Sequence, residues 1–415
     1  MTKGLTGLII QSHADGGREG DYLSVKVDFV LLPDPTLALL IADLRELRRS
    51  LWDREKVLVT VDHFAPPSTV ERANVVKGVL SFIEEKGIPH YSLYGGICHQ
   101  LLVEGPWVEP GMVVLGADSH TTTAGALGCV ATGLGSTDIL YTLITGRTWL
   151  RLPEAFQVNL KGNLPLYLMG KDIALELLRR VGESGFLYRA VEFYDPEAVI
   201  PMDDRLALCN MVVEGGAKNG LFFPDEVTRR YLEGRNGCSG RGKWSFEGDP
   251  QYLRVMEIEM QSLTPRVALP HSPSLVVDVE ETRGEVVQQV FIGSCTGGRL
   301  RDLHMATHIL RGRKVARGLR LLVIPASVTI YQAAIERGYI QAITEAGGVV
   351  LNPSCGPCGG IDKGILGAEE RCLSTSNRNY RGRMGDSSSM IYLASPLTAA
   401  ATALRGRIAD PREML

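Results

Sequence analysis

Short apolar runs alternate with longer stretches of helical spacing through residues 1–151. The run at 57–61 is β-branched and suits a strand buried on both faces of a sheet. The stretch at 69–86 is amphipathic, and Ser68 is placed to cap it. This alternation predicts parallel strands joined by helices. The predicted strands are 23–32, 57–61, 90–93 and 112–115, and the predicted helices include 36–49 and 69–86.

The same pattern is clearest from residue 273 onwards. Strands are predicted at 287–292, 321–324, 349–351 and 390–393, and helices at 300–310, 329–345 and after Ser395 and Pro396. The middle of the chain is mixed, with strand-like runs at 156–160 and 190–193, a helix-compatible stretch at 206–216 and a polar, glycine-rich segment at 233–249. The predicted fold class is α/β, with three α/β domains of mainly parallel sheets at 1–151, 152–272 and 273–415.

Composition narrows the function classes. The chain has 415 residues, 45% hydrophobic and 22% charged, which is ordinary for a globular protein. The net charge of -3 and the lack of a basic block argue against nucleic-acid binding. We expect neither a signal peptide nor a membrane span, and therefore a cytoplasmic protein. The eight cysteines are then expected to be reduced, which favours a metal or cluster over disulfides.

Histidines follow three successive predicted strands. His63 comes directly after Asp62 and follows the strand at 57–61. His99 follows the strand at 90–93, and His120 lies two residues after Asp118, past the strand at 112–115. Ligands bind at the carboxyl ends of the strands of open parallel sheets. Any one of these histidines alone would be read as a structural residue, but their recurrence predicts a shared site.

Three cysteines follow predicted strands of the last section. Cys295 lies in one loop, and Cys355 and Cys358 lie in another. On spacing alone, a degenerate zinc site or a redox pair ranks equal to an iron–sulfur cluster. The glycines beside the thiols favour the cluster, because they let the backbone approach a bulky group. Three thiols would leave one metal position without a protein ligand, as a Lewis-acid catalyst needs.

Arg378 and Arg383 complete the candidate chemistry, because guanidinium groups grip carboxylates bidentately. Together with the histidines and thiols they suggest a di- or tricarboxylate substrate. Iron would polarise a C–OH bond, a histidine paired with a carboxylate would protonate the leaving hydroxide, and a base would take a proton from the next carbon. Asn210 and Glu214 share one predicted helical face, which on pattern alone reads as the polar edge of a core helix.

Seven segments, in this order, resemble the motifs of the aconitase superfamily, and most closely its group of 3-isopropylmalate dehydratase and homoaconitase large subunits. The resemblance spans nearly the whole chain. The segments are Asp62-His63, GGICHQ at 95–100, GADSHT at 116–121, LCNMVVEGGAK at 208–218, GSCTGGR at 293–299, NPSCGPCGG at 352–360 and STSNRNYRGRMG at 374–385.

The resemblance implies roles for individual residues. It implies that Cys295, Cys355 and Cys358 bind one 4Fe–4S cluster with a labile fourth iron. It implies a catalytic set of three pairs, which are Asp62 with His63, His99 with Asp118, and His120 with Glu214. It also implies a substrate-binding set, with the two asparagines near the cluster: Ser119, Asn210, Asn377, Arg378 and Arg383.

The implied activity is that of a hydro-lyase acting on a 2-substituted malate. The main expectation is conversion of 2-isopropylmalate to 3-isopropylmalate through isopropylmaleate, in leucine biosynthesis. Homoaconitase activity, or dehydration of a methylated malate, stays open. The chain ends at Leu415, before the swivelling domain that carries the catalytic serine in single-chain aconitases. We therefore expect a small-subunit partner that supplies this domain.

Two departures from the family pattern bear on the substrate. Gly297 stands where asparagine is expected after Cys-Thr, and Pro33 begins a changed segment, PDPTL at 33–37. Loss of an amide could alter the cluster or the substrate contact. A non-enzymatic iron–sulfur sensor is the alternative from another class, but the complete catalytic set favours the enzyme.

Overall fold

The computed structural model describes residues 3–19, 22–235, 242–246, 248–361 and 363–415. The polar segment predicted at 233–249 lies partly outside this range. None of the helices in the described residues combines the length and apolar character that crossing a bilayer requires.

Within these ranges, strands and helices alternate along most of the chain. The strands are β1 Ala14–Glu19, β2 Tyr22–Lys26, β3 Phe29–Pro33, β4 Val57–Val61, β5 His90–Leu93, β6 Val113–Gly116, β7 Val130–Gly133, β8 Arg147–Arg151, β9 Ala155–Lys161, β10 Ala190–Tyr194, β11 Asn219–Phe222, β12 Arg254–Glu259, β13 Arg266–Ala268, β14 Val276–Asp278, β15 Gln289–Ile292, β16 Arg320–Val323, β17 Val349–Val350, β18 Arg371–Ser374 and β19 Met390–Leu393. The α-helices are α1 Leu5–Ser12, α2 Asp34–Glu46, α3 Val70–Lys86, α4 Cys98–Glu104, α5 Ser136–Thr145, α6 Gly170–Val181, α7 Met202–Met211, α8 Glu226–Glu233, α9 Leu300–Leu310, α10 Val328–Glu336, α11 Tyr339–Ala346 and α12 Pro396–Arg405.

Most strand pairs are parallel, which confirms the predicted fold class. In the described residues the strands form four sheets, ordered β5-β4-β3-β6-β7, β11-β10-β9-β12, β14-β13-β19-β18-β15-β16-β17 and β1-β2-β8. The first two are wholly parallel. The third is parallel apart from the pairs made by β13, and the small fourth sheet is antiparallel. The predicted domain ranges stay predictions, and the limit at 272 lies between β13 and β14 of one sheet.

Several element boundaries differ from the prediction for local reasons. The strand predicted at 23–32 is wrong: it is two strands in different sheets, and between them the Asp28 carboxylate accepts a hydrogen bond from the backbone of Val113 at 2.8 Å. The helix predicted at 329–345 breaks at Gly338, whose φ of 71° lies in the left-handed region. Thr69, and not Ser68, caps α3, because its hydroxyl accepts from the backbone of Arg72.

One continuous apolar core joins the three larger sheets. It includes residues of all three, such as Phe29, Phe193 and Phe291, each less than 5% exposed. Because a shared core fixes the sheets relative to one another, the loops at their carboxyl ends keep defined positions.

Candidate active site and metal centre

Most of the candidate residues follow the carboxyl ends of parallel strands, while His99 and Asn210 lie in α4 and α7. β4 leads into Asp62 and His63, and β6 leads into Asp118 and His120. In the seven-stranded sheet, β15 leads into the Cys295 loop, and β18 into the loop of Asn377 and Arg378. The backbone N–H of Cys355 donates to the carbonyl of Asp62 at 3.1 Å, so loops of two sheets meet at the centre.

A second backbone contact joins the same two sheets. The N–H of Ile97 donates to the carbonyl of Ala326 at 2.8 Å, and Gly96 bridges to Ser327. A Cβ on Gly96 would lie 2.7 Å from the Ala326 oxygen, and the φ of this glycine is 149°. A side chain at this position would therefore separate the loop that carries His99 from the third sheet.

The three expected acid–base pairs lie within contact distance. His63 Nδ1 is 3.2 Å from Asp62 Oδ1, His99 Nε2 is 3.0 Å from Asp118 Oδ1, and His120 Nε2 is 2.7 Å from Glu214 Oε1. Glu214 lies just beyond α7 in a short 3₁₀ helix, Val212–Gly215. The tertiary contact with His120, which a helical pattern does not reveal, makes Glu214 part of the site.

The environment favours the charged forms of Asp118 and His63. Burial disfavours the Asp118 carboxylate, but hydrogen bonds and the charges of His99 and His120 lower its pKa well below the ordinary value. Burial also opposes protonation of His63, yet the charges of Cys355 and Asp62 and a hydrogen bond with Asp34 raise its pKa well above the ordinary value. These contacts favour the protonated form of His63.

Asp34 is a site residue that the sequence analysis noticed only as part of a changed segment. It is fully buried, and its carboxylate accepts from the backbone N–H groups of Asp62, His63 and Phe64 at 3.0–3.2 Å. Its Oδ1 also lies 3.4 Å from His63 Nδ1. The segment that starts at Pro33 thus holds the Asp62–His63 turn in place.

Two amides and one hydroxyl contact the candidate metal-binding thiols. Asn210 and Asn377 donate to Cys295 Sγ at 3.1 and 3.3 Å. Asn377 Oδ1 also lies 3.6 Å from Cys358 Sγ, and Ser294 Oγ lies 3.5 Å from the same sulfur. Cys355 Sγ is 3.4 Å from Asp62 Oδ2. The Asn210 and Asn377 amides and the Ser294 hydroxyl donate to sulfur, as expected around cluster thiolates, whereas Asn377 Oδ1 and Asp62 Oδ2 accept from the thiols.

In the described residues, the three thiols are not gathered around a single-ion site. Thiolates of a tetrahedral zinc site lie about 3.8 Å apart, because Zn–S bonds are about 2.3 Å long. Among the described residues, the three thiols do not form a set whose sulfur atoms all lie within 4.8 Å of one another. The amide donors to Cys295 suit an iron–sulfur cluster. Asp62, His63 and Cys355 do form a set whose ligand atoms all lie within 4.8 Å of one another, so the zinc alternative stays open there.

Arg378 joins Glu214 of the third acid–base pair to Ser119. Its Nε donates to both Glu214 oxygens at 2.8 and 3.0 Å, and a terminal nitrogen donates to Ser119 Oγ at 3.0 Å. The Tyr380 hydroxyl, which the sequence analysis missed, is 3.5 Å from Glu214 Oε2. Arg383 is not joined to this network within the described residues, and its buried Nε has no hydrogen-bond partner there.

Lys171 is the largest omission of the sequence analysis. It is the second residue of α6 and is only 1% exposed. Its Nζ donates to the carbonyls of Thr375, at 3.1 Å, and of Ser376, and lies 3.4 Å from Thr296 Oγ1. Burial lowers its pKa to about 8, although the charges of Cys295, Cys358 and Glu214 oppose this shift.

Gly297 has no room for the asparagine expected in its place. A Cβ would lie 2.1 Å from Thr375 Oγ1 and 2.9 Å from the carbonyl oxygen of Gly293. The Thr375 hydroxyl accepts from Gly293 N–H and donates to its carbonyl, so it is held in place. The Gly297 loop therefore packs directly against the Thr375 loop. The amides that contact Cys295 come from Asn210 and Asn377.

We expect Gly297→Asn to destabilise the metal-free chain by about 1–3 kcal/mol, because overpacking forces the Thr375 loop to move. Urea unfolding followed by circular dichroism measures this. The matched control is Gly78→Asn in α3, where a Cβ meets nothing within 4 Å, so stability should change little. Equal stability of Gly297→Asn and wild-type protein would contradict the packing argument.

Comparisons with known proteins agree with this geometry. The model of the Aconitase family (aconitate hydratase) matches residues 8–286 and 280–406. The 3-isopropylmalate dehydratase large subunit 1 of Methanopyrus kandleri is 42% identical over 98% of both chains. The large subunit 2 of Archaeoglobus fulgidus is 44% identical over 95% of both chains, and the large subunit of a Nitratiruptor species is 43% identical over 100% of both. The crystal structure of Thermococcus kodakaraensis aconitase X, at 13% identity, covers 88% of each chain with a TM-score of 0.51, a likeness of fold.

Proposed function

The chain belongs to the aconitase family, and we propose that it is the large subunit of a hydro-lyase that interconverts 2-isopropylmalate and 3-isopropylmalate in leucine biosynthesis. The observation that carries the proposal is the convergence of three thiols, three histidine–carboxylate pairs and Arg378 on loops of adjoining sheets. Relatives named as this subunit at 42–44% identity over nearly the whole chain support the substrate.

Cys295, Cys355 and Cys358 would hold a 4Fe–4S cluster with one labile iron that lacks a protein ligand. When bound, this cluster supplies a Lewis acid for the substrate hydroxyl. Asn210 and Asn377 orient the Cys295 sulfur by donating N–H groups to it. The family implies an iron–sulfur cluster, and the fourth iron is our inference from the three-thiol set.

His63 is the best candidate for the proton donor. Its surroundings raise its pKa and favour the protonated imidazole, and its side chain is 16% exposed, beside the Cys355 thiol. In dehydration the C–O bond breaks, and the leaving hydroxide takes the His63 proton to form water. A base removes the proton from the neighbouring carbon, and the electrons of that C–H bond form the double bond. His120 is nearly buried between Asp118 and Glu214, which suits it to hold the site's shape and charge.

A small subunit would complete the site. The names of the relatives as large subunits support such a partner. We propose that it brings the catalytic serine that takes the C–H proton, together with part of the pocket for the variable substrate group. The di- or tricarboxylate itself would be bound by Arg378, Arg383 and Ser119.

The test is co-expression of the chain with a small subunit, purification without oxygen, and assay of 2- and 3-substituted malates by the ultraviolet absorbance of the unsaturated intermediate. Turnover of 2- or 3-isopropylmalate is the expected result. Turnover of only a homologous tricarboxylate or a methylated malate would overturn the substrate assignment. A loaded cluster without any turnover would overturn the enzyme proposal and favour the sensor.

We expect Arg378→Lys to lower kcat/KM about tenfold or more, because an ammonium keeps the charge but loses the planar fork. Steady-state kinetics on 3-isopropylmalate measures this. Arg381→Lys is the control, since that side chain is exposed in the same loop. Wild-type kinetics for Arg378→Lys would contradict the proposed carboxylate contact.

A further inference from the structure

Lys171 is a buried cation whose hydrogen-bond partners are all neutral. Its Nζ contacts two backbone carbonyls, the Thr296 hydroxyl and, at 3.6 Å, the Met211 sulfur. In the part of the chain that the structure describes, no carboxylate forms an ion pair with this nitrogen. A buried ammonium without a counter-charge is costly, so its retention calls for an explanation.

The acidic side chains around Lys171 form hydrogen bonds with other residues. Glu214 accepts from Arg378 and pairs with His120. Asp302 accepts from the backbone of Arg299, and burial raises its pKa to about 8, so it is largely neutral near pH 7. Asp172, the next residue, accepts from backbone N–H groups of Met169 and Arg266. Among the described residues, none of these carboxyl groups forms an ion pair with Lys171 Nζ, although the charge of Glu214 favours its protonated form.

The position of Nζ points to the metal centre. Thr296 follows Cys295 directly, and Ser376 precedes Asn377, which contacts the sulfurs of both Cys295 and Cys358. A thiol that binds iron does so as a thiolate, and therefore carries negative charge. The missing counter-charge is thus present once these thiols hold metal.

Resting on the proposed function, we infer that Lys171 is a positioning residue for the cluster: its ammonium offsets the Cys295 and Cys358 thiolates, retains the cluster and raises its reduction potential. A nearby positive charge stabilises the more negative, reduced cluster. The same hydrogen bonds hold the Cys295 and Asn377 loops together.

The test compares full-length wild-type, Lys171→Gln and Lys171→Arg chains, loaded with iron and sulfide without oxygen. Lys171→Gln keeps an N–H donor without the charge, and we expect a more negative midpoint potential and iron loss to a chelator about tenfold faster or more. Lys171→Arg keeps the charge and should stay within about twofold of the wild-type rate. The control is Lys161→Gln. Lys161 is a surface lysine at the end of β9, and it pairs with Glu257.

Every other outcome contradicts a specific part of the proposal. A wild-type potential and rate for Lys171→Gln, or equal impairment of Lys171→Arg, would show that charge is not the role. Failure of metal-free Lys171→Gln to fold would make Lys171 a requirement of the polypeptide alone, and would overturn the proposal too. Wild-type chain that takes up no iron and sulfide would overturn the proposed metal centre itself, and the role of Lys171 with it.

Discussion

Cys358→Ser is expected to yield a colourless chain with little bound iron or sulfide, even when it is prepared without oxygen. The Cys358 sulfur lies beside Asn377 and Ser294, and the hydroxyl of serine is a poor replacement for a thiolate ligand of iron. Loss of a Lewis acid worth several kcal/mol corresponds to a fall in turnover of about 10³-fold or more. Iron and sulfide analysis of the isolated chain, with its visible spectrum, measures the first effect without any partner.

Cys372→Ser is the matched control for this change. Cys372 is fully buried in β18, and its sulfur contacts the backbone carbonyl of Leu373 at 3.6 Å. We expect this variant to keep its iron, sulfide and colour. Full iron and sulfide content in Cys358→Ser would refute the assignment of this ligand.

His63→Ala should keep the cluster and lose turnover by about 10²–10⁴-fold, the range for removal of a general acid. The imidazole is held by Asp62 and Asp34, while the backbone contact between Asp62 and Cys355 does not depend on it. Steady-state rates and iron content, measured on the same preparation with a small subunit, separate the two effects.

His90→Ala provides the comparison for His63→Ala. His90 lies in β5, and its ring faces Trp107 and Glu55, away from the candidate site. Its removal should leave kcat unchanged within about twofold. A His63→Ala variant with the wild-type rate would exclude His63 as the proton donor, and a variant without cluster would make His63 a requirement for metal binding.

The sequence analysis located strands and their polar ends well, because both are local. β4, β5 and β19 lie close to their predicted limits, and the loops after β4, β6 and β15 carry the expected residues. Contacts between loops that are distant in the sequence could not be predicted in the same way. His120 was predicted as a site residue from the recurrence of histidines after strands, whereas the role of Glu214, its partner in the structure, came only from the resemblance.

Lys171 could not be recognised from a pattern. A lysine between Gly170 and Asp172 at a helix start is typical of an exposed first turn. Its burial arises because loops more than one hundred residues away close over it. Gly297 shows the same limit, since only the position of Thr375 explains why a side chain is excluded there.

The wide separation of the centre's parts along the chain affects how the protein is made. Asp62 and the Cys355 sulfur are 293 positions apart, and Ser119 and Arg378 are 259 positions apart. At the usual rate of synthesis, a ribosome takes about 15–60 s to cover the first of these distances. An iron donor that met the nascent chain early would find the histidines but no sulfur ligands. A cluster held by Cys295, Cys355 and Cys358, as proposed, can therefore be completed only after Cys358 has left the ribosome.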